Sequence, residues 1–516
     1  MALASTLTAT VEGVSAHMVT VETNVGPGLP GMHIVGLGDA AVRESRDRIR
    51  TAIANSRLPW PRTKIMVSLS PAHLRKAGSH FDLPIALSVV GSLEPQLHPV
   101  LARTLIMGEL ALDGTLRRVE GVLPMLIHAE HARAESAGVD FNFVIVPRAN
   151  AGEAALLQRA NVLVGDSLTQ VWHWMRGTLS LETAIDAAAD MEPPAAASTL
   201  PDFADVAGQA AERAAFEVAA AGGHHMLMVG PPGSGKSMLA ERLPSILPPM
   251  TIDEQIETTA LHSAAGVSRG EIVGRRPFVA PHPSISRYEL IGGGSGVPVP
   301  GAVSQAHNGV LFLDEASEIS AQVLDSLRIP LEKRIVVHRR ERREVVYPAN
   351  FQLVLAANPC PCGKGIKTCR CKPMQRANHL ANVSGPLRDR LDIYLRTTAQ
   401  TAVLSPKGAE PSSAILARVM DARGRAVHRW GAAGSTAATN AAMDATVIRR
   451  HFPPDESASA TLESMLKHGE LTQRGVDRVL KLAWTMADLE QVAKPNIDHI
   501  FRAVELRQTA HGEEAA

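Results

Sequence analysis

The sequence predicts an α/β protein of about three domains. The chain has 516 residues, and domains average roughly 150 residues each. Strand-like and helix-like segments alternate over residues 1–180 and again over residues 207–397. The run GPPGSGKS, at residues 230–237, lies between a strand candidate and a helix candidate.

Composition narrows the classes of function. Lys plus Arg and Asp plus Glu each number 52, which gives a formal net charge of +0 and argues against a generally basic nucleic-acid binder. Aromatic residues make up 3% of the chain, which disfavours a single-strand binder built on stacking platforms. The longest apolar stretch, residues 83–90, contains Pro84 and Ser88 and is too short for a membrane span. We therefore expect a cytoplasmic protein without a membrane partner.

Changes of composition divide the chain. Residues 1–185 form a predicted N-terminal domain, and the Ala/Pro-rich residues 186–203 form a predicted linker. Residues 204–398 carry the strong motifs, and residues 399–516 have helical periodicity, most clearly in VDRVLKLAWTMADLEQVA. The low-complexity run GAAGSTAATNAA, at residues 431–442, is predicted to be a mobile loop.

The run at residues 230–237 fits the phosphate-loop pattern G-x-x-x-x-G-K-[ST] in full. Its glycines free backbone N–H groups to face phosphate oxygens at a helix N-terminus. Lys236 is expected to neutralise the β- and γ-phosphates, and the Ser237 hydroxyl to bind Mg²⁺. The predicted nucleotide-binding residues here are Gly230, Pro231, Pro232, Gly233, Ser234, Gly235, Lys236 and Ser237.

Polar residues end two further strand candidates. The apolar run VLFL is followed by Asp314 and Glu315, and FQLVLAA is followed by Asn358. Ligands of open parallel sheets sit at such strand ends. Asp314 is expected to hold Mg²⁺, Glu315 to polarise the attacking water, and Asn358 to orient that water. Asn358 taken alone would be an ordinary strand-ending residue.

The run RIVVHRRERREVVYP predicts a basic β-hairpin at residues 334–348. Arginines near a hairpin tip bind nucleic-acid phosphates without regard to sequence. The alternative is a solvated charged hairpin, partly neutralised by Glu341 and Glu344. The candidate DNA-binding residues are Arg339, Arg340, Arg342 and Arg343.

All four cysteines of the chain lie in a twelve-residue window with the spacing C-x-C-x6-C-x-C. Four thiolates suit tetrahedral Zn²⁺, although the spacing departs from the usual knuckles. Free thiols of a reducing compartment or a redox-labile pair are the alternatives. The candidate ligands are Cys360, Cys362, Cys369 and Cys371.

Motifs along nearly the whole chain closely resemble the YifB/competence protein ComM family of Mg-chelatase-like AAA+ ATPases. The segments that carry the resemblance are GLPGMHIVGLGDAAVRESRDRIRTAI, FDLPIAL, GELALDG, RPFVAPHPSIS, LIGGG, AHNGVLFLDE, NPCPCG and SGPLRDRLD. The resemblance implies a homo-hexameric ring that uses ATP and Mg²⁺ and acts on DNA as a branch-migration helicase during natural transformation.

The resemblance also implies roles for two arginines and for the hairpin. Arg390, in SGPLRDRLD, matches the arginine finger given to the neighbouring subunit, and Arg474, in LTQRG, matches the sensor-2 arginine of a helical lid. For either arginine alone, a salt-bridged helix residue is the alternative. The hairpin matches a pre-sensor-1 hairpin, which would project into the ring pore.

The N-terminal segments KAGSHFDLPIAL, GELALDG and GVLPM resemble the Lon-type proteolytic domain, whose fold is similar to that of ribosomal protein S5 domain 2. Aligned on these segments, the nucleophile position falls on His80 and the lysine position on Pro124, with Ser79 beside the site. The resemblance implies a retained fold without proteolysis.

The sequence therefore predicts a Lon-like N-terminal domain, an AAA+ P-loop core and a C-terminal helical lid. The predicted function is a hexameric, Mg²⁺-dependent ATPase that moves on DNA. A chelatase-type motor subunit acting on a protein partner is the first alternative. An ATP-dependent Lon-like protease is the second, and the missing lysine argues against it.

Overall fold

The computed structural model describes most of the chain. The described residues are 2–12, 15–36, 40–72, 74, 76, 78–134, 140–190, 200–267, 272–294, 298–340, 343–363, 369–398 and 409–508.

The N-terminal part contains one large mixed sheet and one short ribbon. Its strands are β1 (Ala2–Glu12), β2 (Ser15–Gly26), β3 (Gly31–Val35), β4 (Lys64–Ser70), β5 (Thr104–Ile106), β6 (Glu109–Leu110), β7 (Leu116–Arg117), β8 (Phe143–Pro147), β9 (Val162–Gly165) and β10 (Glu182–Thr183). The large sheet has eight strands in the order β10-β9-β8-β5-β1-β2-β4-β3. The antiparallel pair β1/β2, in register Leu7↔Thr20, lies in the interior of this sheet.

Helices cover both faces of this sheet. They are α1 (Ala40–Asn55), α2 (Asp82–Gly91), α3 (His98–Ala102), α4 (Val122–Ala134), α5 (Ala151–Ala155), α6 (Leu168–Met175) and α7 (Ala184–Asp190). One core joins α1, α2 and α6 to the sheet, and a second core joins α4, α5 and α7 to it.

The central part contains a parallel sheet and two hairpins. Its strands are β11 (Met226–Val229), β12 (Phe278–Val279), β13 (Gly292–Gly293), β14 (Val299–Pro300), β15 (Val310–Leu313), β16 (Ile335–Arg340), β17 (Arg343–Pro348), β18 (Gln352–Ala357) and β19 (Ile393–Arg396). The parallel sheet has the order β12-β15-β18-β11-β19. The hairpins are β13/β14 and β16/β17.

The remaining helices surround the parallel sheet. In the central part they are α8 (Ala210–Gly222), α9 (Lys236–Arg242), α10 (Ile252–Ala264), α11 (Arg287–Ile291), α12 (Ala302–Gln305), α13 (Ala321–Asp325), α14 (Arg328–Lys333), α15 (Pro373–Leu380) and α16 (Gly385–Arg388). In the C-terminal part they are α17 (Ser412–Ala432), α18 (Ala445–His451), α19 (Glu456–Lys467), α20 (Gln473–Leu489) and α21 (Ile497–Gln508).

The parallel sheet is buried on both faces, which explains its continuous apolar strands. Every residue of β15 and β18 is buried. Alternate residues such as Met228 and Phe312 pack with α8 and the C-terminal helices, whereas Leu227 and Leu311 pack with the opposite layer. Burying a side chain of this size contributes about 1.5–3 kcal/mol. The C-terminal helices therefore share a core with one face of the sheet.

Helix α20 shows how the sequence places a C-terminal helix. Its N-cap is Thr472, whose hydroxyl accepts a hydrogen bond from the Gly475 amide at 3.1 Å. Val476, Val479 and Ala483 recur at intervals of three and four and are buried. The predicted amphipathic helix is thus confirmed.

Other local predictions are also confirmed. Helix α1, the turn at Asp113 and Gly114 between β6 and β7, and the hairpin β16/β17 all lie where the sequence pattern indicates. The predicted linker begins inside α7, and residues 191–199 lie outside the described part of the chain. Within the described residues, no helix combines the length and apolar character needed to cross a membrane.

Candidate active site

The predicted phosphate loop follows β11 and leads directly into α9. Gly233 and Gly235 have φ values of 76° and 81°, a backbone conformation that glycine adopts without strain. A Cβ atom on Gly230 would overlap the Thr397 hydroxyl. The glycines of the motif therefore meet a steric requirement of the loop.

Lys236 is the first residue of α9, and its ammonium group turns back over the loop. Its Nζ donates to the carbonyl oxygens of Gly230 at 2.7 Å and Pro231 at 3.0 Å, and lies 3.3 Å from Asn358 Oδ1. Burial lowers the pKa of Lys236, and the carboxylates of Asp314 and Glu315 oppose that shift. A cation is thus held where it can meet phosphate oxygens.

Ser237 and Asp314 lie together as the motifs predict. The Ser237 hydroxyl donates to Asp314 Oδ2 at 2.7 Å. A serine hydroxyl beside a carboxylate is the donor set with which phosphate-loop proteins hold Mg²⁺, a hard cation that takes oxygen ligands. The residues present fit that ion.

Glu315 has a φ of 47°, in the left-handed region. Such a conformation is unfavourable for a residue with a side chain, and it recurs at functional sites. The Glu315 amide donates to Asp314 Oδ1 at 2.8 Å, which helps to hold this turn. The turn leaves the Glu315 carboxylate exposed beside the loop.

Sheet order explains why these residues meet. Strand β18 lies between β15 and β11, so the carboxyl ends of the three strands are adjacent. Each strand delivers one polar element: the phosphate loop, the Asp314–Glu315 pair and Asn358. Crevices at the carboxyl ends of parallel strands are the usual ligand sites of such sheets.

Two residues that the sequence analysis did not identify support the loop. Gln209, just before α8, donates through Nε2 to the Ser234 carbonyl at 2.8 Å. Thr397, just after β19, lies 2.6 Å from the Ser234 hydroxyl. Neither residue belongs to a local motif, because each reaches the loop from a distant part of the chain.

Arg390 and Arg474 lie at the other end of the sheet. Arg390 precedes β19, whose register Met226↔Ile393 puts its first residue beside the first residue of β11. Strands rise about 3.3 Å per residue, so the length of a strand separates Arg390 from the phosphate loop that follows β11. The structure does not bring this arginine to the loop of its own chain.

The two arginines are near neighbours of each other. Arg390 pairs with Glu332 of α14 and donates through Nη1 to the Pro386 carbonyl at 2.6 Å. Arg474, in the first turn of α20, lies 3.3 Å from the carboxylate of Asp389 and is 78% exposed. Both side chains thus belong to one surface region.

The basic hairpin projects from a packed base. Tyr347 of β17 is buried and donates its hydroxyl to the Pro298 carbonyl. Arg339 is 81% exposed and lies 2.7 Å from Glu344, and an exposed ion pair of this kind contributes little free energy. Arg340 and Arg343 form the last backbone pair, while their side chains and all of Arg342 lie outside the described residues.

The four cysteines come together after β18. Their Sγ atoms all lie within 4.8 Å of one another, and neighbouring pairs are separated by 3.2, 3.4 and 3.7 Å. Zinc–sulfur bonds of about 2.3 Å in a tetrahedron place the sulfur atoms roughly 3.8 Å apart. Burial, with hydrogen bonds from neighbouring thiols, raises the pKa of Cys360 to about 12. The cluster fits a tetrahedral cation, whose charge would favour the thiolates.

The cysteine cluster also adjoins the phosphate loop. A Cβ atom on Gly363, next to Cys362, would lie 2.9 Å from Pro232 Cγ. The backbone of the cysteine segment therefore packs directly against the loop.

The residues that align with the Ser–Lys dyad of Lon-type proteolytic domains make contacts that do not form such a dyad. Ser79 donates to the carboxylate of Glu109. His80 is buried, and its Nε2 lies 2.8 Å from the Ala9 carbonyl oxygen. Pro124 is a buried residue of α4. The partner of Ser79 is thus an acid, whereas a Ser–Lys dyad needs a lysine.

A phosphate loop, an acidic strand end and a following Asn strand on one parallel sheet define a P-loop protein of the AAA+ type. The family model described as magnesium chelatase, subunit ChlI, matches residues 202–403. Models for subunit ChlI of Mg-chelatase and for its C-terminal region match residues 21–150 and 409–507.

Relatives match nearly the whole chain. The Mycobacterium tuberculosis protein Rv2897c is 43% identical over 513 residues, which are 99% of this chain and 99% of the relative. Escherichia coli YifB is 36% identical over 515 residues, 98% and 97% of the two chains. Haemophilus influenzae competence protein ComM is 35% identical over 513 residues, 96% of each. The chain therefore belongs to the YifB/ComM family of Mg-chelatase-like AAA+ proteins, which implies use of ATP and Mg²⁺.

The loop geometry leads to a prediction for Lys236→Ala. We expect ATP affinity to fall roughly tenfold to hundredfold, since hydrogen bonds to charged groups contribute about 1.5–3 kcal/mol. Equilibrium titration with a fluorescent ATP analogue measures this change.

Glu315→Gln is the matched control for ATP affinity, because it changes a charged residue beside the same loop that is not expected to bind the phosphates. It should bind ATP as the wild type does and hydrolyse it about 10²–10⁴-fold more slowly. Wild-type turnover by this variant would contradict the assignment of Glu315.

Proposed function

We propose that this protein is a Mg²⁺-dependent ATPase that assembles as a homo-hexameric ring and acts on DNA, as a ComM-like branch-migration helicase in recombination. The observation that carries the proposal is the division of the site between two ends of one sheet. Lys236, Ser237, Asp314 and Asn358 lie at one end, and Arg390 lies at the other.

Hydrolysis needs the groups that the phosphate loop gathers. Lys236 binds the β- and γ-phosphates, and Ser237 with Asp314 holds Mg²⁺, which supplies charge neutralisation at the phosphates when bound. Glu315 accepts a proton from the attacking water, and Asn358 orients that water toward the γ-phosphorus. Exposure of Glu315 leaves room for a water molecule next to it.

A ring supplies the cation that the phosphate loop of a single subunit lacks. Arg390 and Arg474 lie away from their own loop, so they complete a site only when a neighbouring subunit presents its loop to them. A guanidinium group on the transferred phosphoryl stabilises the transition state. We therefore assign Arg390 as the arginine finger and Arg474 as the sensor-2 arginine, both acting on the adjacent subunit.

The basic hairpin gives the ring its DNA contact. The chain is neutral overall, so binding must come from a local concentration of positive charge. Six copies of Arg339, Arg340, Arg342 and Arg343 around one channel would hold DNA through its phosphates. The ComM relative is named a competence protein, and that name supports a role with incoming DNA.

The cysteine cluster binds one Zn²⁺, which fixes the segment that packs on Pro232.

The N-terminal domain retains a Lon-like fold without proteolysis, because Ser79 donates its hydrogen bond to Glu109.

A chelatase-type motor subunit is the second candidate, favoured by the family models that match along the chain. Its ring would act on a protein partner, so DNA would not stimulate hydrolysis. ATPase assays with single-stranded, duplex and branched DNA separate the two candidates.

Arg390→Ala should reduce hydrolysis about 10³–10⁵-fold while leaving ATP affinity unchanged. Mixing it with Lys236→Ala protein should restore part of the activity, because one variant keeps its loop and the other keeps its finger. Steady-state ATPase of mixed rings measures this. Absence of recovery in rings shown to contain both variants would mean that Arg390 does not act between subunits.

Replacing Arg339, Arg340, Arg342 and Arg343 by Ala should weaken DNA binding equally for all sequences. The slope of log affinity against log salt should fall by about 0.7–0.9 for each lost phosphate contact. The matched control replaces four exposed N-terminal arginines, Arg46, Arg50, Arg57 and Arg62, which changes the net charge equally. An unchanged slope in the hairpin variant would favour the chelatase-type candidate.

Protein purified without added metal should contain close to one zinc per chain by elemental analysis. Cys369→Ser with Cys371→Ser should lose it, because two thiolates cannot complete a tetrahedral site. Four freely titratable thiols in the native wild type, with no bound metal, would exclude the zinc site.

A further inference from the structure

A fully buried carboxylate lies beside the arginine-bearing loop. Asp392 follows Arg390 by two residues and is 0% exposed. Its Oδ1 accepts from Arg478 Nη1 at 2.8 Å, and its Oδ2 lies 3.0 Å from His224 Nδ1. Because a carboxylate only accepts hydrogen bonds, His224 donates through Nδ1.

Arg478 links this carboxylate to the second arginine. It lies on α20 one turn after Arg474, on the same side of the helix. One ion pair therefore joins the loop that carries Arg390 to the helix that carries Arg474. The loop carries Asp389 as well, and Asp389 contacts Arg474 directly.

The link continues along α20 through His224. Its Nε2 lies 2.8 Å from the Thr485 hydroxyl, which accepts from Asn440 Nδ2 at 3.1 Å. Asn440 also donates to Asp488 at 2.9 Å. A Cβ atom on Gly222 would lie 2.5 Å from Thr485 Oγ1, so the chain leaves no room for a side chain there. Helix α20 is thus held at several turns.

The charges of this network are arranged to keep Asp392 ionised. Burial alone would raise the pKa of Asp392, but Arg478 and His224 hold it well below its usual range. The adjacent His225 has its pKa lowered to about 4 by burial, and the carboxylate of Asp392 opposes that shift. The Asp392–Arg478 interaction is therefore a true ion pair.

Buried ion pairs contribute little net stability, because desolvation offsets their attraction. They do fix geometry, since either charge is costly to leave alone. Two more contacts pin the same loop: Tyr394 donates to the Arg388 carbonyl at 2.6 Å, and Arg507 donates to the Leu391 carbonyl at 3.1 Å. The residues around Arg390 are held from both sides.

We propose that Asp392 and Arg478 are positioning residues that set Arg390 and Arg474 in the geometry needed by the neighbouring subunit's nucleotide. This inference rests on the proposed function, because it concerns arginines acting between subunits. It adds that their placement depends on a buried ion pair between the sheet and α20.

The test uses Asp392→Asn and the charge-neutral double variant Asp392→Asn/Arg478→Met in the full chain. Both should bind a fluorescent ATP analogue with wild-type affinity, because the phosphate loop is intact. The turnover number should fall about 100-fold, the loss expected when a catalytic group is displaced by about 1 Å. The KM for ATP should stay within about twofold.

Asp477→Asn is the matched control. Asp477 is the neighbour of Arg478 on α20 and pairs with Arg449 of α18, so its loss removes an ion pair that does not reach the arginine loop. We expect wild-type turnover from this variant. Thermal melting of all variants separates lost stability from lost positioning.

Rings assembled from two different variants distinguish a positioning role of Asp392 from a purely structural one. Asp392→Asn retains its loop and should be rescued by Lys236→Ala subunits, as Arg390→Ala is. A folded double variant with wild-type turnover would overturn the inference. So would rescue of Arg390→Ala without rescue of Asp392→Asn. If Arg390→Ala itself is not rescued, the failure lies with the proposed function.

Discussion

The geometry of the candidate nucleotide site depends on one constraint, which is that β18 lies between β15 and β11 in a fully parallel sheet. That order brings three carboxyl ends together and places Asn358 beside Lys236. It also requires apolar residues on both faces of each strand, because helices cover both sides. The chemistry of the loop and the burial of the strands are thus consequences of the same topology.

The same sheet separates the loop from the arginines. Thr397, after β19, contacts Ser234 at the carboxyl end, while Arg390 lies before the first residue of that strand. One short strand therefore spans the distance between the two halves of the site. A monomer holds both halves and cannot bring them together without unpairing β19 from β11, which gives the proposed ring a structural reason.

Much of the loop was predictable from the sequence because its motifs are local. Lys236, Ser237 and Asp314 lie in short runs whose spacing fixes their chemistry. The supporting contacts were not predictable, because Gln209 and Thr397 reach Ser234 from distant segments. Asn440 illustrates a second limit. It lies in the low-complexity run predicted to be a loop, and residues 433–442 form no helix or strand. Asn440 itself is buried and hydrogen-bonded to Asp488, which composition alone did not indicate.

The Arg390–Glu332 pair has a thermodynamic consequence for the proposed ring. In a separate subunit the Glu332 carboxylate pairs with the Arg390 guanidinium group. In a closed ring a nucleotide phosphate would replace that carboxylate as the partner of Arg390. Assembly then exchanges one anion for another instead of exposing an unpaired cation. By linkage, a nucleotide that favours closure must bind more tightly to the closed ring by the same factor. Subunit concentration and ATP concentration would therefore act as interchangeable drivers of assembly.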